Sequence, residues 1–216
     1  MGAVGETAHI ENIGDFSFHT VIGIIALALS LCVLGRVMCF CFHKAGPFAK
    51  KLLKNPFLHS VIGAFIVIAL TAAVGDMRYN GSGMNMAIAA IEGNAQWFDF
   101  ILKILFTFVT LAAGFKGGEI VPTFCIGATF GCVMGSILGL DSGFCAALGL
   151  VGLFCCATNS FVSAIFLGIE MFGFAMLPYL LIICIIICLL PNKNGLFKLR
   201  HCSSVFFVIK NKCKKI

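Results

Sequence analysis

From Ile120 to Asn192 the chain carries two formal charges, Asp141 and Glu170. A run that long with so little charge has to be buried in a very large core or placed in lipid, and a chain of 216 residues has no room for such a core. The residues are 60% apolar and 11% charged, with a mean hydropathy of +1.06, beyond the usual range of soluble domains. Further apolar stretches cover residues 16–35, 58–75 and 100–115, the last interrupted by Lys103. Crossing the hydrocarbon takes about 20 apolar residues, so these lengths predict an all-α, polytopic membrane protein. A closed β-barrel would need alternating polarity, which these stretches lack.

Charge placement predicts orientation. Arg36, Lys44, Lys50, Lys51 and Lys54 flank the connection between the first two spans, and Lys193, Lys198, Arg200, Lys210, Lys212, Lys214 and Lys215 crowd the end. By the positive-inside rule both regions, the C-terminus included, are expected to be cytoplasmic, with the acidic start (Glu6, Glu11, Asp15) and residues 76–83 on the other side. That acidic start does not read as a cleavable signal, so insertion is expected to depend on the first span. The formal net charge of +6 follows from this topology and gives no footprint for nucleic acid, since no basic stripe is interleaved with aromatics.

Twelve cysteines raise a redox or metal reading that their spacing does not support. Cys39 with Cys41, the adjacent Cys155 and Cys156, and Cys184 with Cys188 form no CxxC pair beside a His cluster. Most are expected to pack as small hydrophobes. Neither a metal nor a cofactor is expected.

The spans are uneven. A first helix over residues 16–54 would overrun the bilayer, which predicts a steep tilt or a break near Gly46 and Pro47. Residues 58–74 make an ordinary span, 76–83 a loop, 84–93 a piece too short to cross, and 98–115 an approach to the most informative segment. After that segment, breaks are expected at residues 139–143 and 158–160, at Gly173 and at Pro178, with pieces of about 12 to 20 residues between them. Asp141 reads as part of a turn. Short pieces at membrane depth must end inside protein, where helix ends build binding sites.

The informative segment is residues 114–131, GFKGGEIVPTFCIGATFG. It sets a glycine-loosened turn and Pro122 in front of an apolar helix. Unpaired N–H groups and the positive end of the dipole at such a start would hold an anion.

GGEIVPTFCIGATFG resembles the G-x-x-x-P pore motif in the second half of the CLC family of chloride channels and proton-coupled chloride exchangers. TNSFVSAIFLGIEMFG resembles that family's next helix pair with its acidic residue, here Glu170. VGDMRYNGSGMNMAIAAIEG is similar to the segment joining the family's corresponding helices and LKILFTFVTLAAGFKGGEIVP to the approach to the motif, and the likeness covers about residues 16–198. The resemblance implies one repeat of an inverted-repeat fold, with tilted and broken helices. Residues 1–15 would lie outside the membrane, 16–198 would form the second transmembrane repeat, and 199–216 a basic cytoplasmic tail.

The first-half motifs GSGIP and GREGP have no counterpart; Gly81, Ser82 and Gly83 are followed by Met84 and Asn85 and read as a loop. The chain is therefore expected to be half of a transporter.

The resemblance also implies residue roles. The N–H groups of Glu119 and Ile120 would face chloride, with Gly118 allowing close approach, Val121 completing the turn and Pro122 starting the helix. Phe197, in NGLFKLR, takes the place where the family has a tyrosine hydroxyl near the anion. Glu119 and Glu170 are candidates for proton linkage; the competing readings have Glu119 turned toward Lys116 and Glu170 capping or pairing at a helix end.

The function implied is anion transport across the cell membrane, with chloride as the transported ion, lipid as surroundings, and a homodimer or an assembly with the other half as partner. The alternative is a non-transporting subunit that only associates with a full-length relative through the region of residues 160–190. An enzyme is not expected, since no nucleophile stands with its base and no carboxylates pair.

Overall fold

A computed structural model describes residues 17–52, 56–115, 118–190, 192, 195 and 196. The described residues form eight α-helices: α1 (Phe18–Leu52), α2 (Pro56–Val74), α3 (Met84–Ile91), α4 (Asp99–Ala112), α5 (Ile120–Leu138), α6 (Ser142–Thr158), α7 (Phe161–Phe172) and α8 (Leu177–Leu189). Single 3₁₀ turns at Met77–Tyr79 and Phe174–Met176 lead into α3 and α8. The all-α reading holds.

The centre is an antiparallel hairpin of α5 and α6. Its turn is made by Gly139, in the left-handed region at φ 67°, and by Asp141, whose carboxylate accepts from the Phe144 N–H at 2.7 Å. Asp141 is thus a helix cap as well as a turn residue. Small residues let the two backbones touch: a Cβ on Gly127 would lie 2.5 Å from Gly149 O, and one on Gly131 would lie 2.2 Å from Cys145 O. Gly135 meets Ser142 in the same antiparallel register. Helix α6 then packs against α1, α3, α7 and α8 as well, and from Phe144 to Thr158 only Phe154 escapes full burial.

Helix α1 shows why the molecule belongs in lipid. One face (Ile24, Leu27, Ala28, Leu31, Met38, Phe42) is buried, while the opposite face (Ile22, Ile25, Leu29, Val33, Val37, Phe40) is exposed and equally apolar. A helix meeting water would carry polar groups there. Phe18–Pro47 of α1 and Ile120–Leu138 are long and apolar enough to cross a membrane, whereas α3, α7 and α8, with 8, 12 and 13 residues, are too short to cross alone.

The break expected as the alternative to a steep tilt near Gly46 and Pro47 is absent, and so is a separate break at Pro178. Helix α1 runs through Gly46 and Pro47 to Leu52. Pro47 removes one N–H, and the carbonyl it frees lies where the apolar stretch ends, so water can serve it. Pro178 does not open a second gap either. It sits in the first turn of α8, where its missing N–H has no acceptor to lose, and the junction is made by Gly173 (φ 83°) and the 3₁₀ turn together. Residues 1–15 and 199–216 lie outside the described residues.

Candidate anion-binding site

Helix α5 begins at Ile120, two residues before the start at Pro122 that the resemblance implies, with Pro122 in its first turn. Glu119 stands at the N-cap with φ −80° and ψ −16°, and its side chain makes no capping bond. Its carbonyl is turned into the helix, accepting the Thr123 N–H at 3.3 Å and the Thr123 hydroxyl at 2.8 Å. That leaves the N–H groups of Glu119, Ile120 and Val121 pointing out of the helix start, and no carbonyl of a described residue accepts them. Pro122, buried in the first turn, has no N–H to satisfy.

Glycine roles now separate. Gly127, Gly131 and Gly135 are small because α6 lies against them, but around Gly118 no described atom comes within 4 Å of where a Cβ would stand. Gly118 is exposed and Glu119, Ile120 and Val121 are half-buried, so the helix start opens to the surface of the described chain.

Around this start, α1 supplies Met38, whose sulfur is 3.9 Å from the Thr123 hydroxyl, and Cys39, which the Leu196 backbone and the Asn192 side chain both reach with the Glu119 carboxylate nearby. Asn192 and Leu196 therefore lie against α1 close to the start of α5. Phe197 itself and Lys116 lie outside the described residues, so neither the expected ring position nor the Glu119–Lys116 contact is observed. Glu170 is exposed in the last turn of α7, and no described side chain pairs with it.

One polar cluster escaped the sequence reading. Asp99, 1% exposed, accepts from the Arg78 guanidinium, the Tyr79 hydroxyl and the Gln96 N–H. Burial, and then the bond to Asp99, raise the Tyr79 phenol above its ordinary pKa. One turn on, the buried Lys103 ammonium donates to the carbonyls of Tyr79 and Gly81 at 3.0 and 2.9 Å, and the Cys125 thiol of α5 takes the carbonyls of Ser82 and Gly83. Residues 76–83 are thereby tied to α4 and α5, which confirms Gly81, Ser82 and Gly83 as a loop. The available signal was a charged pair spaced four apart, Asp99 and Lys103, in an apolar helix.

A family profile described as voltage gated chloride channel matches residues 3–191. The chain belongs to this chloride channel family. Among members, it is 29% identical over 184 residues to a chloride/fluoride channel protein of Pseudomonas syringae pv. tomato, covering 82% of this chain and 41% of that protein. An uncharacterized protein of Methanocaldococcus jannaschii is 29% identical over 125 residues, covering 56% of this chain and 32% of the other. Of solved structures, the crystal structure of a CLC-type fluoride/proton antiporter superposes with a TM-score of 0.82 at 28% identity, covering 88% of this chain and 48% of that one. The chain spans less than half the length of these relatives. Coverage of this extent, with helices only, fits one repeat of the chloride channel fold.

Proposed function

We propose that this chain supplies one half of an anion path through a membrane, with the N–H groups of Glu119, Ile120 and Val121 as donors to a dehydrated halide. The observation that carries the reading is the open start of α5: three donors without a described acceptor, a helix dipole behind them, and space beside Gly118. Partial charges suit permeation, because full positive charges could hold the ion too tightly to release it. Chloride is the expected ion, and fluoride enters the comparison because two of the relatives are described by it.

The opening of the site at the surface supports completion by a second repeat, and the resemblance makes Phe197 a candidate to line the same path. The exposed apolar groove of Phe161, Ile185, Cys188 and Leu189 on α7 and α8 supports pairing with a second copy in the plane of the membrane. The basic residues in the second half of α1 and just after it (Arg36, Lys44, Lys50, Lys51 and Lys54) support a cytoplasmic face there, with the C-terminus on the same side of a cell membrane. Proton linkage, if present in the assembly, falls to Glu119 at the site before the exposed Glu170.

The experiment is halide flux from liposomes holding this chain alone, and holding it together with a polypeptide that carries the remaining portion of the Pseudomonas relative. Flux is expected only from the combination. A combination that forms a complex and stays silent would favour the non-transporting subunit.

A further inference from the structure

Asn159 is the one non-glycine residue at positive φ among the described residues, at φ 54°. It ends α6 in the left-handed region, which glycine or asparagine adopts at least cost. Its side chain does more than tolerate that conformation. The Asn159 Nδ2 donates to Asn192 O at 2.9 Å, and the Asn192 N–H donates to Asn159 Oδ1 at 3.1 Å. The pairing is reciprocal, like one rung of a ladder.

Further bonds extend this pairing. The Leu196 N–H donates to Ala157 O at 2.7 Å, the Gly195 N–H donates to Asn192 O at 3.2 Å, and the Asn192 amide reaches Gly35 O on α1 at 3.4 Å. Gly195 lies so close that a Cβ there would stand 2.3 Å from Asn159 Nδ2. Asn192 and Leu196 also reach Cys39, which is fully buried on α1 next to Met38 at the start of α5.

We propose that Asn159 is a positioning residue: from its left-handed cap it clamps Asn192, Gly195 and Leu196 across the middle of α1 and the end of α6, and so holds Asn192 and Leu196 at Cys39, near the start of α5. The inference rests on the proposed function for its consequence, since the clamped segment would form one wall of the anion path. The clamp itself is a matter of geometry.

The test is Asn159→Gly, which keeps the positive φ without strain and removes both side-chain bonds. In the full chain held in detergent micelles, N-ethylmaleimide labelling is followed cysteine by cysteine by mass mapping. Cys39 is expected to label about tenfold faster, the change that loss of one to two hydrogen bonds gives to local opening. Cys145, buried at the far end of the α5–α6 hairpin, is expected to label as before. Unchanged Cys39 labelling overturns the clamp, and equal acceleration at Cys145 overturns it in favour of general loosening. In the two-part assembly, Asn159→Gly is expected to shift the chloride-to-fluoride flux ratio. Lower total flux at an unchanged ratio overturns the role in the path, while silence of the unaltered assembly refutes the proposed function and leaves the labelling result to decide the clamp.

Discussion

Replacing Gly131 with alanine tests the claim that the α5–α6 contact holds this fold together. The added Cβ would stand 2.2 Å from Cys145 O and 3.0 Å from Ala146 Cα, where ordinary contact begins at 3.4 Å, a shortfall of 1.2 Å (3.4 − 2.2). Both obstacles are backbone, so no rotamer change relieves the clash. The helices have to part by about 1 Å at the crossing, and a gap of that size forfeits roughly a quarter to a half of each dispersion contact along it. Overpacking of this kind costs about 1–3 kcal/mol, with the upper end expected against an immovable partner. The better helix propensity of alanine returns about 1 kcal/mol. The net expectation is a loss of about 2 kcal/mol, or roughly 4–8 °C in Tm for a chain of this size. Gly46→Ala in α1 is the control: no described atom lies within 4 Å of that site, so only the propensity gain applies and stability should rise by about 0.5–1 kcal/mol. Thermal unfolding followed by circular dichroism in micelles reads both. If Gly131→Ala melts at or above Gly46→Ala, the close-crossing argument fails.

Asp99→Asn keeps the shape of the buried carboxylate but removes the buried one of the two counter-charges of Arg78, leaving it the exposed Asp76, and should cost about 2–3 kcal/mol, whereas Tyr79→Phe removes one hydrogen bond and should cost about 1 kcal/mol. The same melting assay checks the order, and equal losses would contradict it. Glu119→Gln leaves the backbone donors in place, so halide flux of the two-part assembly should keep its magnitude and its pH profile. A flattened profile would make the Glu119 carboxyl a proton carrier.

Much of this was legible because membrane burial writes a coarse signal. Runs without charge announced α1, α2 and the α5–α8 block, and Gly118 with Pro122 announced the start of α5 to within two residues. Proline was an uneven guide: Pro122 marked a helix start, but Pro178 makes no separate break, and at Pro47 the break offered beside a steep tilt is absent. Its effect depends on where its missing N–H falls, which for Pro178 is a first turn and for Pro47 is where the apolar stretch ends, and composition alone does not give that register. The Asp99–Lys103 cluster and the Asn159 clamp stayed hidden for another reason. Each joins residues far apart in the chain, Tyr79 to Lys103 and Asn159 to Asn192, through backbone carbonyls and amides that carry no residue-specific signature. Eight of the ten described cysteines, by contrast, are buried, as their apolar settings suggested.

The central claim concerns backbone hydrogens, so the most direct measurement removes one. An amide-to-ester substitution at Val121 deletes its N–H and keeps the side chain, and halide flux of the two-part assembly is then compared with that of an ester at Ile137, near the far end of α5. A hydrogen bond to an ion contributes about 1.5–3 kcal/mol, so the Val121 ester should lower flux or apparent halide affinity by roughly ten- to a hundredfold, with the Ile137 ester near the unmodified level. Equal flux from both esters would contradict an anion held at the start of α5.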